Sequence, residues 1–190
     1  MIYITGDTHA KFNGRFSVDN FPEQKNMTKE DILIICGDFG GVWNFGGEST
    51  SEKYWLDWFE TRNYTLLFVD GNHENFDRLS SYPVEKWHGG TVHKLRPHVL
   101  HLMRGQIYEI DGKKLFTFGG AASHDISGGI LDIKDPDFKW KKRKFNKTHK
   151  PYRVNHVTWW KQELASEEEM EVGKSNLKKY DYTVDYIVTQ

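Results

Sequence analysis

Three short apolar runs in the first half of the chain each lead into glycine and polar side chains. The runs are MIYIT at 1–5, ILIIC at 32–36 and TLLFV at 65–69, and they are followed by GDTH, GD and DGNHE. Continuous apolar runs of this length are typical of strands buried on both faces. Because the carboxyl ends of neighbouring strands meet at one edge of an α/β sheet, these polar residues are predicted to lie close together.

Amphipathic segments between the runs predict helices. Residues 48–63, ESTSEKYWLDWFETRN, place Trp55, Leu56 and Phe59 on one face. A second helix is predicted over residues 156–171, HVTWWKQELASEEEME, followed by a short helix, KSNLKKY, before the last strand.

The second half of the chain predicts a second sheet that contains antiparallel pairs. VLHLM, QIYEI and KLFTF have strand character, and the dipeptide Asp111–Gly112 is a strong signal for a two-residue hairpin. GGAASHDISGG at 119–129 predicts a loop, and VDYIVTQ at 184–190 predicts the closing strand. No repeat or linker divides the chain, so a single domain over residues 1–190 is expected.

Composition limits the class of protein. The chain of 190 residues is 37% hydrophobic and 15% aromatic, which suits one domain with an aromatic-rich core. Its 26 Lys and Arg against 27 Asp and Glu create no overall field for nucleic acid or anionic membrane. The single cysteine, Cys36, excludes internal disulfides and fits a reducing compartment. Since neither a signal-peptide pattern nor an apolar run of ~20 residues is found, a soluble, cytoplasmic protein is expected.

The polar residues after the three strands have the chemistry of metal ligands. Asp7 and His9 stand two positions apart, the carboxylate of Asp38 can bridge two cations, and Asn72 and His73 add an amide oxygen and an imidazole. Mixed oxygen and nitrogen donors favour Mn, Fe, Zn or Ni over Ca or Mg. Each motif alone is weak, because D-x-H and GD occur more often in ordinary turns. The three motifs in this order are more specific.

These motifs resemble the signature of the calcineurin-like metallophosphoesterase superfamily. GDTH, CGD and GNHE match its first three blocks, and ITGDTH, CGDFGGVW and RGQIYEIDGKKLFTFGGA look like a bacterial subgroup of uncharacterised phosphoesterases. The resemblance covers nearly the whole chain. It implies an αββα sandwich of mixed sheets flanked by helices.

The resemblance also implies a site for two divalent transition-metal ions, Mn, Fe, Zn or Ni. Asp7, His9 and Asp38 would hold the first ion, while Asp38 and Asn72 would hold the second. His73 would be the catalytic residue, as a proton donor or charge stabiliser for the leaving oxygen. The implied reaction is hydrolysis of a phosphomonoester or phosphodiester, in which the two ions activate a water molecule and stabilise the developing charge.

The last residues depart from the family pattern. Gln190 stands where a family strand ends in a metal-binding His, and the final G-H-x-H block is not found. The resemblance therefore predicts a C-terminally truncated chain that binds one ion or none and has weak or absent activity. His124, in the loop at 119–129, is a conceivable replacement ligand, although a solvent-facing position is favoured.

Two other functions remain open at this stage. One is a non-catalytic metal-binding or protein-binding module on the same fold. The other is nucleic-acid binding through the basic segment KWKKRKFNKTHK at 139–150. The sequence favours a solvated, mobile loop for that segment. The expected partner is therefore a phosphorylated substrate, with nucleic acid not favoured and a membrane not expected.

Overall fold

Two β-sheets packed face to face form the centre of the computed structural model, which describes residues 1–190. The first sheet contains β1 (Ile2–Gly6), β2 (Ile32–Cys36), β3 (Thr65–Val69), β4 (Val84–Trp87), β5 (Gly90–Arg96) and β6 (Val99–Leu102). Their spatial order is β1-β2-β3-β6-β5-β4. The pairs β1-β2, β2-β3 and β3-β6 are parallel, whereas β6-β5 and β5-β4 are antiparallel.

The second sheet is smaller and also mixed. It contains β7 (Gln106–Ile110), β8 (Lys113–Phe118) and β11 (Tyr186–Thr189), while β9 (Ile130–Leu131) and β10 (Arg153–Val154) form a separate short ladder. The hairpin between β7 and β8 is confirmed, because Asp111 and Gly112 both have positive φ, 52° and 71°, as a two-residue type I′ turn requires. The closing strand β11 pairs parallel to β8.

Four helices surround the two sheets and the short ladder. They are α1 (Thr50–Glu60), α2 (Phe76–Leu79), α3 (Phe138–Lys147) and α4 (Glu167–Lys178), with short 3-10 turns at Pro22–Asn26 and Lys161–Glu163. The predicted first helix is confirmed: Leu56 and Phe59 of α1 pack into the core, and Ser49 and Glu52 form a capping box at its start. No helix is both long enough and apolar enough to span a bilayer.

Alternate residues of the central strands enter two different cores, which explains why their sequences are apolar throughout. Ile34 and Leu67 face the second sheet, while Ile35 and Phe68 face α1 and pack in the same cluster as Phe59. All five side chains have no solvent exposure. The predicted αββα sandwich of mixed sheets flanked by helices is therefore confirmed.

Two strand predictions need correction. VLHLM was expected in the second sheet, but β6 pairs parallel to β3 in the first sheet. The β4 and β5 strands were not predicted, because three of the four residues of β4 are exposed and give no apolar pattern. Edge pairing, rather than burial, makes this segment extended.

The predicted helix over residues 156–171 is also wrong. The helix begins only at Glu167, where the Ser166 side chain caps it and Glu169 completes a capping box. It then continues to Lys178, so the predicted separate helix KSNLKKY is largely the end of α4. Trp160 has extended backbone and is buried, with its indole nitrogen donating to the carboxylate of Asp77 at 2.8 Å. Core burial of one aromatic ring overrides the helical spacing of the segment.

The basic segment at 139–150 was predicted to be a solvated loop, and it instead forms most of α3. Lys, Arg, Trp and Phe tolerate helical geometry, and no Gly or Pro interrupts residues 138–147. The segment remains exposed, since α3 buries none of its side chains fully.

A buried polar network connects β3 to β6. Asp70 accepts hydrogen bonds from His101 Nε2 at 3.0 Å and from Arg104 Nε at 2.9 Å. Burial opposes ionisation of Asp70, but these bonds outweigh it and hold its pKa below the usual range. His93 Nδ1 lies 2.9 Å from His101 Nδ1, and burial, assisted by His101, lowers the pKa of His93 to about 4.

Acid should destabilise the fold partly through His93. Its ordinary pKa is 6.5, so the unfolded chain binds more protons than the folded chain between about pH 6.5 and 4. The stability contributed by the neutral ring is present above pH 6.5 and is lost as pH falls. Between pH 7 and pH 4.5 the wild type should lose about 2 kcal/mol of its free energy of unfolding through His93, allowing for screening by solvent. His93→Gln should not show this part of the loss.

Urea unfolding of the two proteins at both pH values measures this difference. His124→Gln, which replaces an exposed loop histidine, should keep the wild-type pH dependence. Equal acid sensitivity in the His93 variant and the wild type would contradict the assignment.

Candidate metal centre

The loops that follow β1 and β2 are joined backbone to backbone. Thr8 N and His9 N both donate to the Asp38 carbonyl, at 3.1 and 2.8 Å, and the Thr8 hydroxyl donates to the Phe39 carbonyl at 2.8 Å. A side chain on Gly40 would meet Ala10 N at 2.6 Å, so only glycine permits this approach. These contacts fix the position of His9 relative to Asp38.

Both His9 and Asp38 have left-handed backbone, with φ of 46° and 41°. Non-glycine residues rarely adopt this conformation, and it persists only where surrounding contacts impose it. The carbonyl of Asp38 that holds the loop after β1 supplies such a contact. The strained backbone turns both side chains towards the same edge of the sheet.

His9, Asp38 and His73 form the cluster at this edge. Each offers one ligand atom, and these atoms lie within 4.8 Å of one another. His9 Nε2 is 3.4 Å from Asp38 Oδ2 and 3.9 Å from Asp7 Oδ2. Asp7 therefore reaches the cluster through His9. Two of the predicted metal residues, His9 and Asp38, and the predicted catalytic residue His73 share one small volume, although their roles remain predictions.

The ring of His73 is held on several sides. Its backbone N–H donates to Asp38 Oδ1 at 2.9 Å. The ring of Trp43 stacks on it with 5.3 Å between ring centres, and the ring of His9 meets it edge-on with 4.7 Å between ring centres. Burial lowers the pKa of His73, with Arg153 and His9 acting in the same direction and Asp38 opposing them. The neutral imidazole is therefore favoured at pH 7.

Asn72 is oriented by a hydrogen-bond chain from the second half of the protein. Its Nδ2 donates to the Ser123 hydroxyl at 3.2 Å, and that hydroxyl donates to buried Glu163 at 2.6 Å. This leaves Asn72 Oδ1 without a hydrogen-bond partner in the protein. The free atom is the amide oxygen, which is the atom that binds cations.

Arg153 is a site residue that the sequence did not reveal. It comes from β10 and lies 3.3 Å from His73 Nε2 through Nη2. Its Nε donates to Asp125 Oδ1 at 2.9 Å and its Nη1 donates to the Thr158 carbonyl at 3.0 Å. No spacing rule identifies it, because the segment that carries it is defined only by its pairing with β9. Trp43, Ser123 and Glu163 were also missed, because Trp43 and Ser123 lie in loops and Glu163 lies in a short 3-10 turn, where no periodic pattern marks them.

His124 does not join the cluster. Its side chain is exposed, in agreement with the favoured solvent-facing position, while its neighbour Ser123 is buried beside Asn72. The loop 119–129 thus contributes to the site through a hydroxyl instead of an imidazole.

The closing strand β11 brings Gln190 to the same edge. A methyl group on Gly71 would lie 1.7 Å from Gln190 Oε1 and 2.1 Å from Asp38 Oδ1, and one on Gly37 would lie 2.1 Å from the same amide oxygen. The side chains of Gln190 and Asp38 therefore share the space that two glycines leave open. An amide oxygen binds transition metals more weakly than imidazole does.

Glu74, the last residue of GNHE, connects two loops of the candidate metal centre through hydrogen bonds. It is fully buried and accepts hydrogen bonds from Gly71 N at 2.8 Å and Gly40 N at 3.3 Å. Burial raises the pKa of Glu74 to about 8. This side chain joins the loops after β2 and β3, as the Asp38 carbonyl joins the loops after β1 and β2.

Comparison with known proteins agrees with the family that the strand-end motifs resemble. The sequence matches the family of calcineurin-like phosphoesterases over residues 1–189. It is 25% identical to lariat debranching enzyme A of Xenopus laevis over 144 residues, 69% of this chain and 26% of that protein. It is 30% identical to the lariat debranching enzyme of Caenorhabditis elegans over 97 residues, 45% of this chain and 19% of that protein. The matched part thus spans about a quarter or less of these relatives. No solved structure matches.

Gly71→Ala should weaken metal binding without unfolding the protein. The added methyl would displace the Asp38 carboxylate and the Gln190 side chain, and such changes around metal ligands typically cost about tenfold or more in affinity. Isothermal titration with Mn²⁺ measures the loss. Gly6→Ala is the matched control, since a side chain there meets nothing within 4 Å. Wild-type affinity in the Gly71 variant would show that Asp38 lies outside the metal site.

Proposed function

This chain belongs to the calcineurin-like phosphoesterase family, and we propose that it is a metal-dependent hydrolase of phosphodiesters whose site lies at the carboxyl edge of β1, β2 and β3. At the level of the family, the chemistry is phosphoester hydrolysis with divalent metals. The observation that carries the proposal is the convergence of His9, Asp38 and His73 within 4.8 Å of one another. The names of the curated relatives support the diester class, although their debranching activity is not itself proposed for this chain.

The donor set fits divalent transition-metal ions. We assign Asp7, His9 and Asp38 to one cation and Asp38 with Asn72 to a second, with the amide oxygen of Gln190 as an additional donor. Carboxylate, amide and imidazole donors suit Mn, Fe, Zn and Ni. Cations bound there would supply Lewis-acid activation of water and of the phosphoryl group.

Arg153 supplies the fixed positive charge of the proposed site. Two of its nitrogens are held by Asp125 and Thr158, so the third, Nη2, is aimed at His73. A guanidinium is always charged and presents donors that match phosphate oxygens. We assign to Arg153 the binding of a phosphoryl oxygen of the substrate.

His73 has a positioning and hydrogen-bonding role in this proposal. Its lowered pKa favours a neutral ring at pH 7, and Trp43 stacks against one face of the ring. We assign it to the leaving oxygen, where it would stabilise developing charge beside Arg153. Trp43 also covers one side of the ring and limits access of water to it.

A non-catalytic module is the second candidate. It is favoured by the limited size of the cluster, in which the ligand atoms of His9, Asp38 and His73 are mutually close while Asp7 reaches it through His9. A protein of this kind would bind metal without turnover. One experiment separates the two candidates.

That experiment combines metal analysis with phosphodiester turnover on the same sample. After loading with Mn²⁺, the protein is expected to retain metal and hydrolyse bis-p-nitrophenyl phosphate faster than the monoester. Asp38→Asn should lose both properties, because Asp38 is the donor shared by both proposed cations. Asp19→Asn, on the exposed surface, is the control and should lose neither.

Each failure has a separate meaning. Metal retention without hydrolysis of either ester would favour the non-catalytic module. Unchanged metal content in the Asp38 variant would refute the proposed ligand set.

Arg153→Gln should lower kcat/KM for the diester by about a hundredfold, the usual effect of removing one donor to the transition state. Metal content should not change, since Arg153 is not a ligand, and Arg153→Lys should recover part of the loss. Arg96→Gln removes another ion-paired arginine and should leave kcat/KM unaltered. A loss of metal in parallel with activity would assign Arg153 a purely structural role.

A further inference from the structure

Helix α3 concentrates positive charge on a chain whose other residues carry a net negative charge. Its ten residues, FKWKKRKFNK, include six Lys or Arg and no acid. The rest of the chain carries 20 Lys and Arg against 27 Asp and Glu. A compact basic helix on a molecule with an acidic remainder produces a local field that the net charge of −1 conceals.

Most of this charge is not neutralised by neighbouring acids. Within α3 only Lys141 forms an ion pair, with Asp135. The other five basic residues have exposed side chains and no carboxylate within ion-pair distance: Lys139, Lys142, Arg143, Lys144 and Lys147. Lysines in the last turn also stabilise the helix dipole, which accounts for Lys144 and Lys147 but not for the others.

The outer face of α3 combines this charge with an aromatic ring. Trp140 is 60% exposed, and the ammonium of Lys144 lies 5.1 Å from its ring centre. Trp140, Lys144 and Lys147 follow one another at helical spacing and form a continuous row. Phe138 and Phe145 are half-buried and attach the opposite face to the protein. The exposed indole adds a flat apolar face to a surface that is otherwise charged.

The helix also lies close to the candidate metal centre along the chain. It occupies the connection between β9 and β10, and its end packs on Gly128, whose N–H donates to the Pro151 carbonyl at 2.7 Å. Pro151 stands two residues before Arg153, a separation of roughly 7 Å in extended chain. The guanidinium of Arg153 contacts His73. The end of α3 is therefore tied to the segment that places Arg153 beside His73.

We propose that α3 binds single-stranded nucleic acid and thereby sets the substrate class of the protein as phosphodiesters within such strands. The exposed Lys and Arg contact backbone phosphates, and a base stacks on Trp140. Basic side chains interleaved with an exposed aromatic ring are suited to single strands, whose unpaired bases have free faces. The catalytic part of this inference rests on the proposed function, whereas the binding part does not.

The test is fluorescence anisotropy with labelled 12-nucleotide dT and rU strands, carried out in EDTA. Wild-type protein is expected to bind at low salt, with log Kd depending linearly on log salt. The variant Arg143→Gln, Lys144→Gln, Lys147→Gln should reduce the salt slope by about 2, at roughly 0.7 per lost phosphate contact. The matched control carries the same loss of charge at the end of α4 and its C-cap: Lys174→Gln, Lys178→Gln, Lys179→Gln. It should bind like the wild type.

Trp140→Ala separates stacking from charge. It should weaken oligonucleotide binding about fivefold or more while leaving the salt slope unchanged. Polyglutamate of matched length is the probe for charge alone, and its binding should not respond to Trp140→Ala. A preference for the rU strand over the dT strand would show that α3 binds RNA better than DNA, and equal binding would show that it accepts both.

Three results would overturn the inference: no binding of either strand at low salt, equal losses in the α3 and α4 variants, or polyglutamate binding as tight as oligonucleotide binding. Because EDTA removes metal, the titration is independent of catalysis. Strand binding through α3 in a protein that hydrolyses no ester would refute the proposed function and leave the binding surface established.

Discussion

The parallel register of the first three strands is the constraint on which the candidate site depends. Gly6 pairs with Cys36, and Cys36 pairs with Val69, so β1, β2 and β3 end at the same level of the sheet. A shift of one residue would turn the buried side chains to the wrong face and separate the polar residues that follow. The two apolar cores that fix the register therefore also fix the distances between Asp7, Asp38 and Asn72.

Close backbone approach then converts aligned strand ends into a cluster. The Asp38 carbonyl holds the first loop, and buried Glu74 holds the next two through Gly40 and Gly71. These contacts impose left-handed backbone on His9, which local preferences disfavour. Glycine is needed at 71 because Asp38 occupies the space that a side chain would fill. The residues with strained backbone and the glycines that must lack a side chain thus lie in the same small region.

The second half of the chain completes the surroundings of the cluster without contributing a recognisable motif. Ser123 orients Asn72, and Arg153 approaches His73 from a two-residue strand. The same connection carries α3, so the element that places a fixed positive charge beside the cluster also carries the most basic surface of the protein. Arg153, beside the cluster, and the basic side chains of α3, farther from it, would act on the same polyanionic substrate. In the proposed function, α3 would capture the substrate and Arg153 would position it.

The sequence by itself determined the features that rest on local periodicity and turn chemistry. Burial on both faces makes β2 apolar throughout and β3 apolar after Thr65, the Asp111–Gly112 turn needs two positive φ values, and α1 carries its own capping box. The strand-end motifs were also readable, because parallel strands present consecutive residues at one edge; their roles as ligands remain predictions.

Only the tertiary structure decided features that depend on contacts between distant segments. The ring of Trp160 is buried against the core, which interrupts the helical-looking segment with an extended residue and delays α4 until Ser166. The position of Arg153 follows from pairing with a strand more than 20 residues earlier. Such contacts bring together residues whose separation in sequence carries no periodic signal, so no local pattern predicts them.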